Sequence, residues 1–130
     1  MEARILIADD SPLLRSALRR VIEHNPEWKV CGEALDGQQA VELTQKLAPD
    51  LVVLDLAMPN LNGFQAAEQI KSLQPETPVL MCSLHWTSHL NQQAQSVGVS
   101  GAVSKSDSLT TNLIIGITAL LRHETFFPPA

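Results

Sequence analysis

Asp9 and Asp10 stand side by side directly after the apolar run "ILIA", residues 5 to 8. A third aspartate, Asp55, closes the run "LVVLD" (51 to 55). Ser83 closes "PVLMCS" (78 to 83), and Lys105 follows "GAVS" (101 to 104). Three carboxylates, a hydroxyl and an ammonium thus each sit at the end of an apolar segment. At ~4 Å and an effective dielectric of about 20, two carboxylates repel by several kcal/mol. Such a cluster persists only with protons, a cation or Lys105 in its midst. Oxygen donors without His or Cys suit a hard divalent ion, and Mg²⁺ keeping several of its waters is the natural choice. A carboxylate beside such an ion is a candidate nucleophile toward a phosphoryl group. The metal, Lys105 and Ser83 are then placed to balance charge on the equatorial oxygens.

The elements that must position these groups follow from hydrophobic patterning. Short apolar runs at 3 to 8, 28 to 34, 51 to 55, 78 to 83 and 101 to 104 alternate with segments of helical period. Several runs are almost continuously apolar, as strands covered on both faces should be. Leu13, Leu14, Ala17, Leu18, Val21 and Ile22 form one helical stripe, with Ser11 as cap and Pro12 in the first turn. Further stripes are Ala40, Thr44 and Leu47, then Phe64, Ala67 and Ile70, then Leu90, Ala94 and Val97 with Gly98 as C-cap. The last is Leu109, Leu113, Ile117 and Leu120, capped by Asp107 or Ser108. Strands alternating with helices imply a parallel sheet with helices on both faces, joined by right-handed crossovers. Ligands in such sheets bind beyond the carboxyl ends of the strands. That is where the five polar residues fall.

Composition excludes several classes. The chain of 130 residues fits one domain. Its formal charge of −5 disfavours unaided binding to nucleic acid, which depends on cations meeting phosphates. No apolar stretch approaches the roughly 18 residues that span a bilayer, and the first residues lack the layout of a signal peptide. The expected location is the cytoplasm. Cys31 and Cys82 lie inside apolar runs, without metal-ligand spacing, and read as core thiols. His24, His85, His89 and His123 likewise show no ligand spacing. Trp28 and Trp86 form no stacking platform, and Met58, Met81 and Phe64 read as core.

"ADDSP", "LVVLDLAMPNLNG", "MCS" and "GAVSK", in this order and at these spacings, resemble the receiver domain of bacterial two-component response regulators. The resemblance covers residues 3 to 122. It implies a flavodoxin-like (CheY-like) doubly wound α/β fold, with a five-stranded parallel sheet of order 2-1-3-4-5 and five helices, the arrangement well known for CheY. It also implies phosphoryl transfer from a sensor histidine kinase to Asp55, assisted by Ser83 and Lys105. Asp10, Asp55 and the backbone carbonyl of Ala57 would ligate Mg²⁺, with Asp9 acting through water. Met58, Pro59 and Gly63 match the family's turn after the phosphorylated strand. "ADDSPLLR" and "RHETFFPP" look most like receivers that precede a LuxR/FixJ-type helix-turn-helix domain, and hence a role in transcription.

Three positions depart from the family pattern. The aromatic residue usual three places before the lysine is Ala102, so no aromatic rotation at that site can carry the signal. Ser106 stands where a cis proline commonly follows the lysine, and a cis bond without proline costs about 2.5–4 kcal/mol. Leu84 replaces a small residue and is expected to crowd Asp55. These alter transmission of the signal and leave the transfer residues in place.

The fourth helical segment, poor in apolar anchors, is the expected mobile element, with the loop around His85 and Trp86. The fifth carries Ile114, Ile115 and Leu121 beyond its inner stripe, more than one face buries. A homodimer through the helix 4–strand 5–helix 5 face, or packing against an output domain, would cover the excess. Residues 123 to 130 read as the start of a linker or tail, with Phe126 and Phe127 exposed. Two other functions compete: a degenerate receiver serving as a phosphorylation-independent scaffold, and an aspartyl-nucleophile phosphohydrolase. The second lacks the acid expected two residues after the nucleophile, where Ala57 stands.

Overall fold

The computed structural model describes residues 2–84, 86–105 and 109–128. Its elements are β1 (Ala3–Ala8), α1 (Pro12–Glu23), β2 (Trp28–Ala34), α2 (Gly37–Leu47), β3 (Leu51–Asp55), α3 (Gly63–Leu73), β4 (Val79–Ser83), α4 (Ser88–Ser96), β5 (Gly101–Ser104) and α5 (Leu109–Leu121). The strands form one parallel sheet in the order β2-β1-β3-β4-β5. Both faces of the sheet are covered, which is why its central strands read as unbroken apolar runs.

Alternate side chains serve two cores. Leu6, Val52, Leu54, Val79 and Met81 pack under α2, α3 and α4. Ile5, Ile7, Val53, Leu80 and Val103 pack under α1 and α5. Each fully buried side chain of this size stabilises the fold by about 1.5–3 kcal/mol. The carboxyl ends of β1 and β3 are thereby set in a rigid layer.

Helix starts are defined by side chains that accept orphan backbone donors: Ser11 from Leu14, Asp36 from Gln39, Asn62 from Gln65 and Thr87 from Leu90. Asn62 and Gln65 complete a reciprocal capping box. Gly98, at φ +88°, takes the left-handed turn after α4. The expected α5 caps, Asp107 and Ser108, lie outside the described residues, as do Ser106 with its peptide geometry and His85.

Three expectations need correction. β4 begins at Val79, because Pro78 has no N–H for the ladder, although its carbonyl accepts from Val52. The α1 stripe is narrower than its sequence suggests. Leu18 and Ile22 are buried, but Leu13 is 83% exposed and Ala17 also faces solvent. Finally, Phe126 and Phe127 are half-buried, not exposed. The Phe126 amide donates to the Ser100 carbonyl at 3.1 Å, and its own carbonyl accepts from Ala102 at 2.8 Å. The tail lies along the outer edge of β5.

Ile114 and Ile115 are 39% and 47% exposed, so α5 does present surplus apolar surface. Leu121 is half-buried and packs into the core. α4 buries Ala94 alone.

Candidate functional site

The parallel register carries β1, β3 and β4 to a common edge: Ala8 lies opposite Leu54, and Asp55 opposite Cys82. Asp9 therefore follows β1 at the level of Asp55, and Ser83 lies one residue further along β4. One oxygen from each of Asp9, Asp10 and Asp55 falls within a group spanning no more than 4.8 Å, the one such acidic group among the described residues. Asp9 and Asp55 are buried, whereas Asp10 faces solvent.

Lys105 closes the cluster from β5. Its Nζ donates to Asp55 Oδ1 at 2.8 Å and to Asp9 Oδ2 at 3.0 Å. One ammonium thus bridges two buried carboxylates, and charge-assisted hydrogen bonds of this length are the strong kind. The Lys105 amide also donates to the Ser83 carbonyl at 2.7 Å, fixing the ends of β4 and β5 together. Ser83 is half-buried at this junction.

The electrostatics of the pocket are frustrated. Burial, first of all, lifts Asp55 above the ordinary carboxylate range, and the charge of Asp9 adds to it. Hydrogen bonds from Lys105 and from the backbone of Ala57 offset only part of this. For Lys105, burial acts to lower the pKa, but the hydrogen bonds and charges of Asp55 and Asp9 outweigh it, so the ammonium is strengthened. Cys82, fully buried next to this cluster, is pushed up to about 12 by burial and is no nucleophile.

Local backbone holds Asp9 and Asp55 in place. Asp9 Oδ1 accepts from the Ser11 amide at 2.9 Å, and its carbonyl accepts from Arg15 Nη1 at 2.8 Å. Arg15 is itself anchored by Glu33 at 3.1 Å. Nothing in the sequence spacing marks Arg15, because its partners are main-chain and cross-element. Gly63 has a different task. A Cβ there would meet the Asp55 carbonyl at 2.5 Å and Leu56 Cα at 2.7 Å, both backbone atoms that cannot rotate away. Gly63→Ala is expected to cost about 1–3 kcal/mol through overpacking, read as a lower urea midpoint at unchanged slope.

Leu84 is 63% exposed and points to solvent, so the expected crowding of Asp55 is not seen. Ala102 is fully buried in the β5 layer facing α4. Ala57 follows Asp55 by two residues and is exposed. His24, His89 and His123 are exposed, and Cys31 and Cys82 are free thiols. A groove of about 760 Å³ opens at the opposite edge of the sheet between Trp28, Pro49, Gln74 and Leu121. It is remote from the convergent carboxylates.

Residues 5–113 match the family model of the response regulator receiver domain. The chain belongs to that family. As a receiver it is a component of two-component signalling with a CheY-like fold. Among solved structures it resembles a LuxR-family two-component response regulator from Aurantimonas sp. SI85-9A1, with TM-score 0.94 and 33% identity over 99% of this chain and 91% of that one. The response regulator domain of Thermotoga maritima CheB aligns with TM-score 0.87 and 30% identity, over 94% of this chain and 98% of that one. Among curated proteins, the transcriptional regulatory protein YdfI of Bacillus subtilis is 32% identical over 97% of this chain and 58% of its own length. A protein-glutamate methylesterase/protein-glutamine glutaminase of Pyrococcus abyssi is 46% identical over 62% of this chain but only 22% of its own. The receiver thus spans less than two thirds of these curated relatives. No helix among the described residues is long and apolar enough to cross a membrane.

Proposed function

We propose that this receiver accepts a phosphoryl group on Asp55 from a phosphohistidine of a sensor histidine kinase. One observation carries the reading: Lys105 bridges Asp55 and Asp9 with Asp10 alongside, an all-oxygen site beside a poised nucleophile. An Asp55 carboxylate oxygen forms a bond to phosphorus as the phosphorus–nitrogen bond breaks, and the leaving imidazole takes a proton from solvent. Lys105 holds charge developing on the phosphoryl oxygens, and the Ser83 hydroxyl is the candidate donor to another.

The donor chemistry fits a hard cation, and three clustered carboxylates with one ammonium retain net negative charge. Asp10, Asp55 and the Ala57 carbonyl would hold Mg²⁺, with Asp9 through water. When bound, the ion supplies the further positive charge that lets a phosphoryl group approach carboxylates. Incubation with phosphoramidate and Mg²⁺ is expected to add one phosphoryl mass to the intact protein. Chelation by EDTA should abolish the addition. An adduct formed equally well without divalent ions would refute the metal requirement.

Partners follow from the same surface. Leu13, Leu35 and Leu84 are exposed leucines after β1, β2 and β4, around the acidic edge. They offer apolar grip to the kinase domain that brings the phosphohistidine. Residues 1–122 act as the receiver, in the cytoplasm, and a helix-turn-helix output domain beyond the tail regulates transcription, as the name of YdfI suggests for that relative. Ile114 and Ile115 on α5 are the apolar residues through which that domain or a second copy docks. The outer edge of β5 is not a bare part of that face, because the tail occupies it.

A further inference from the structure

We infer that residues 124–128 are a latch whose seating on β5 and α4 is coupled to the acidic pocket, so that occupation of Asp55 releases the segment through which the chain continues. The coupling rests on the phosphoacceptor reading above. The seat itself does not.

The seat is built. After α5, His123 adopts the left-handed region at φ +61°, and the Glu124 amide returns to the Ala119 carbonyl at 2.9 Å. This turn sends the chain back parallel to β5, where Gly101 pairs with Phe126. Room for it comes from two glycines. A Cβ on Gly101 would meet the Phe126 carbonyl oxygen at 2.7 Å, and one on Gly116 would meet the Phe126 ring at 3.3 Å. Phe126 then packs with the α1/α5 core and Phe127 with the α2/α3/α4 core. The tail therefore straddles the sheet edge with one aromatic on each side. An edge strand is also a row of unpaired donors that proteins cover, and here the tail's Phe126 carbonyl takes the outward-facing Ala102 amide.

Two connections run from the seat to the pocket. Along β5, the Ala102 amide bonded to Phe126 lies three residues before Lys105. Along β4 and α4, Ser83 precedes Trp86, whose indole N–H donates to Asn91 Oδ1. Asn91 Nδ2 in turn reaches the Pro128 carbonyl at 3.5 Å. Trp86 and Phe127 pack against the same core as Ala102. α4 buries only Ala94, so it is the cheapest element in this path to shift. When Lys105 and Ser83 turn to a phosphoryl group, the shift of Ser83 at the end of β4 draws Trp86 away from Asn91. Pro128 then loses its support, and the tail keeps only the strand bridge at Phe126 and the packing of its two rings.

Hydrogen exchange at the Ala102 and Phe126 amides, measured with and without beryllofluoride and Mg²⁺, tests the coupling. The expected result is about tenfold faster exchange at both amides in the adduct, within the usual range of coupling between sites. Linkage requires the reciprocal effect, so Asn91→Ala and Phe127→Ala should each tighten beryllofluoride binding several-fold. Asn91 is half-buried at the surface of α4 and leaves the core intact, which keeps the test valid should Phe127→Ala misfold. Binding of beryllofluoride, seen by fluorine NMR, with unchanged exchange and unchanged affinity in both variants would overturn the latch alone. Absence of any binding in the wild-type chain would overturn the phosphoacceptor reading and the coupling together.

Discussion

Lys105→Met is expected to destabilise the metal-free protein by about 3–5 kcal/mol, the usual loss when one partner of a buried ion pair is removed. Asp9 and Asp55 have side chains only 2% and 6% exposed, and Lys105 is the cation bonded to both. Without it, two adjacent carboxylates are left in a low-dielectric layer. Methionine keeps the stem and removes the charge, so the effect reports electrostatics and not packing. The loss depends on pH. Asp55 already sits above its ordinary value through burial, and removing the ammonium raises it further. Stability of the variant should therefore fall steeply as pH rises from the ordinary carboxylate value through the new, higher one, since the folded state there binds more protons than the unfolded chain. Mg²⁺ should restore much of the loss at neutral pH, because a ligand that binds only the folded state stabilises it by mass action. Denaturant midpoints at several pH values, with and without Mg²⁺, check this. A variant as stable as wild type without metal would show that Lys105 is not the counter-ion.

Asp55→Asn is expected to abolish the phosphoryl adduct altogether while leaving the fold intact. Asparagine has nearly the same shape, but its amide is not a nucleophile, and Asp10 and Asp9 do not stand at the end of β3. Intact mass after phosphoramidate and Mg²⁺ should show no addition, against one in the wild-type chain. The variant also changes the pH profile of stability. In the wild-type protein the raised Asp55 makes stability fall between the ordinary carboxylate value and the higher folded one. That slope should vanish in the variant, and at neutral pH without metal the variant should be at least as stable as wild type. Lys105 contributes a dependence of the same sign at the alkaline end. Its stabilisation is complete below the unfolded lysine value and is lost as pH rises through the higher folded one.

The element order was legible because both signals are local. Residues 51–55 and 3–8 form continuous apolar runs, and turn and cap chemistry at Ser11-Pro12, Asp36 and Asn62 punctuates them. The clustering of Asp9, Asp10, Asp55 and Lys105 is legible because a parallel sheet delivers every strand end to one edge, so residues distant in sequence share a location by topology alone. The motifs at these positions added the family.

What sequence patterning misjudged has a common cause. Leu13 and Ala17 fit the helical stripe of α1, yet the face that meets the sheet is only wide enough for Leu18 and Ile22 with Leu14 and Val21 beside them. Periodicity states which residues share a side, not how broad the neighbouring layer is. Leu84 looked able to crowd Asp55, but the chain turns it outward after β4. Phe126 and Phe127, next to prolines, had the local character of a linker. Their burial depends on a free strand edge more than twenty residues earlier, on room left by Gly101 and Gly116, and on the left-handed turn at His123.

By itself, then, the sequence determined the strands and helices, their parallel arrangement, and the acidic edge with its amine, because apolar runs, caps and topology are written in residues close together. Only the tertiary structure decided that one ammonium serves both Asp9 and Asp55, that Arg15 and Gly63 hold their backbones, and that the tail covers β5. Those are distances between segments far apart in the chain, and pairwise geometry of that kind leaves no periodic trace in the sequence.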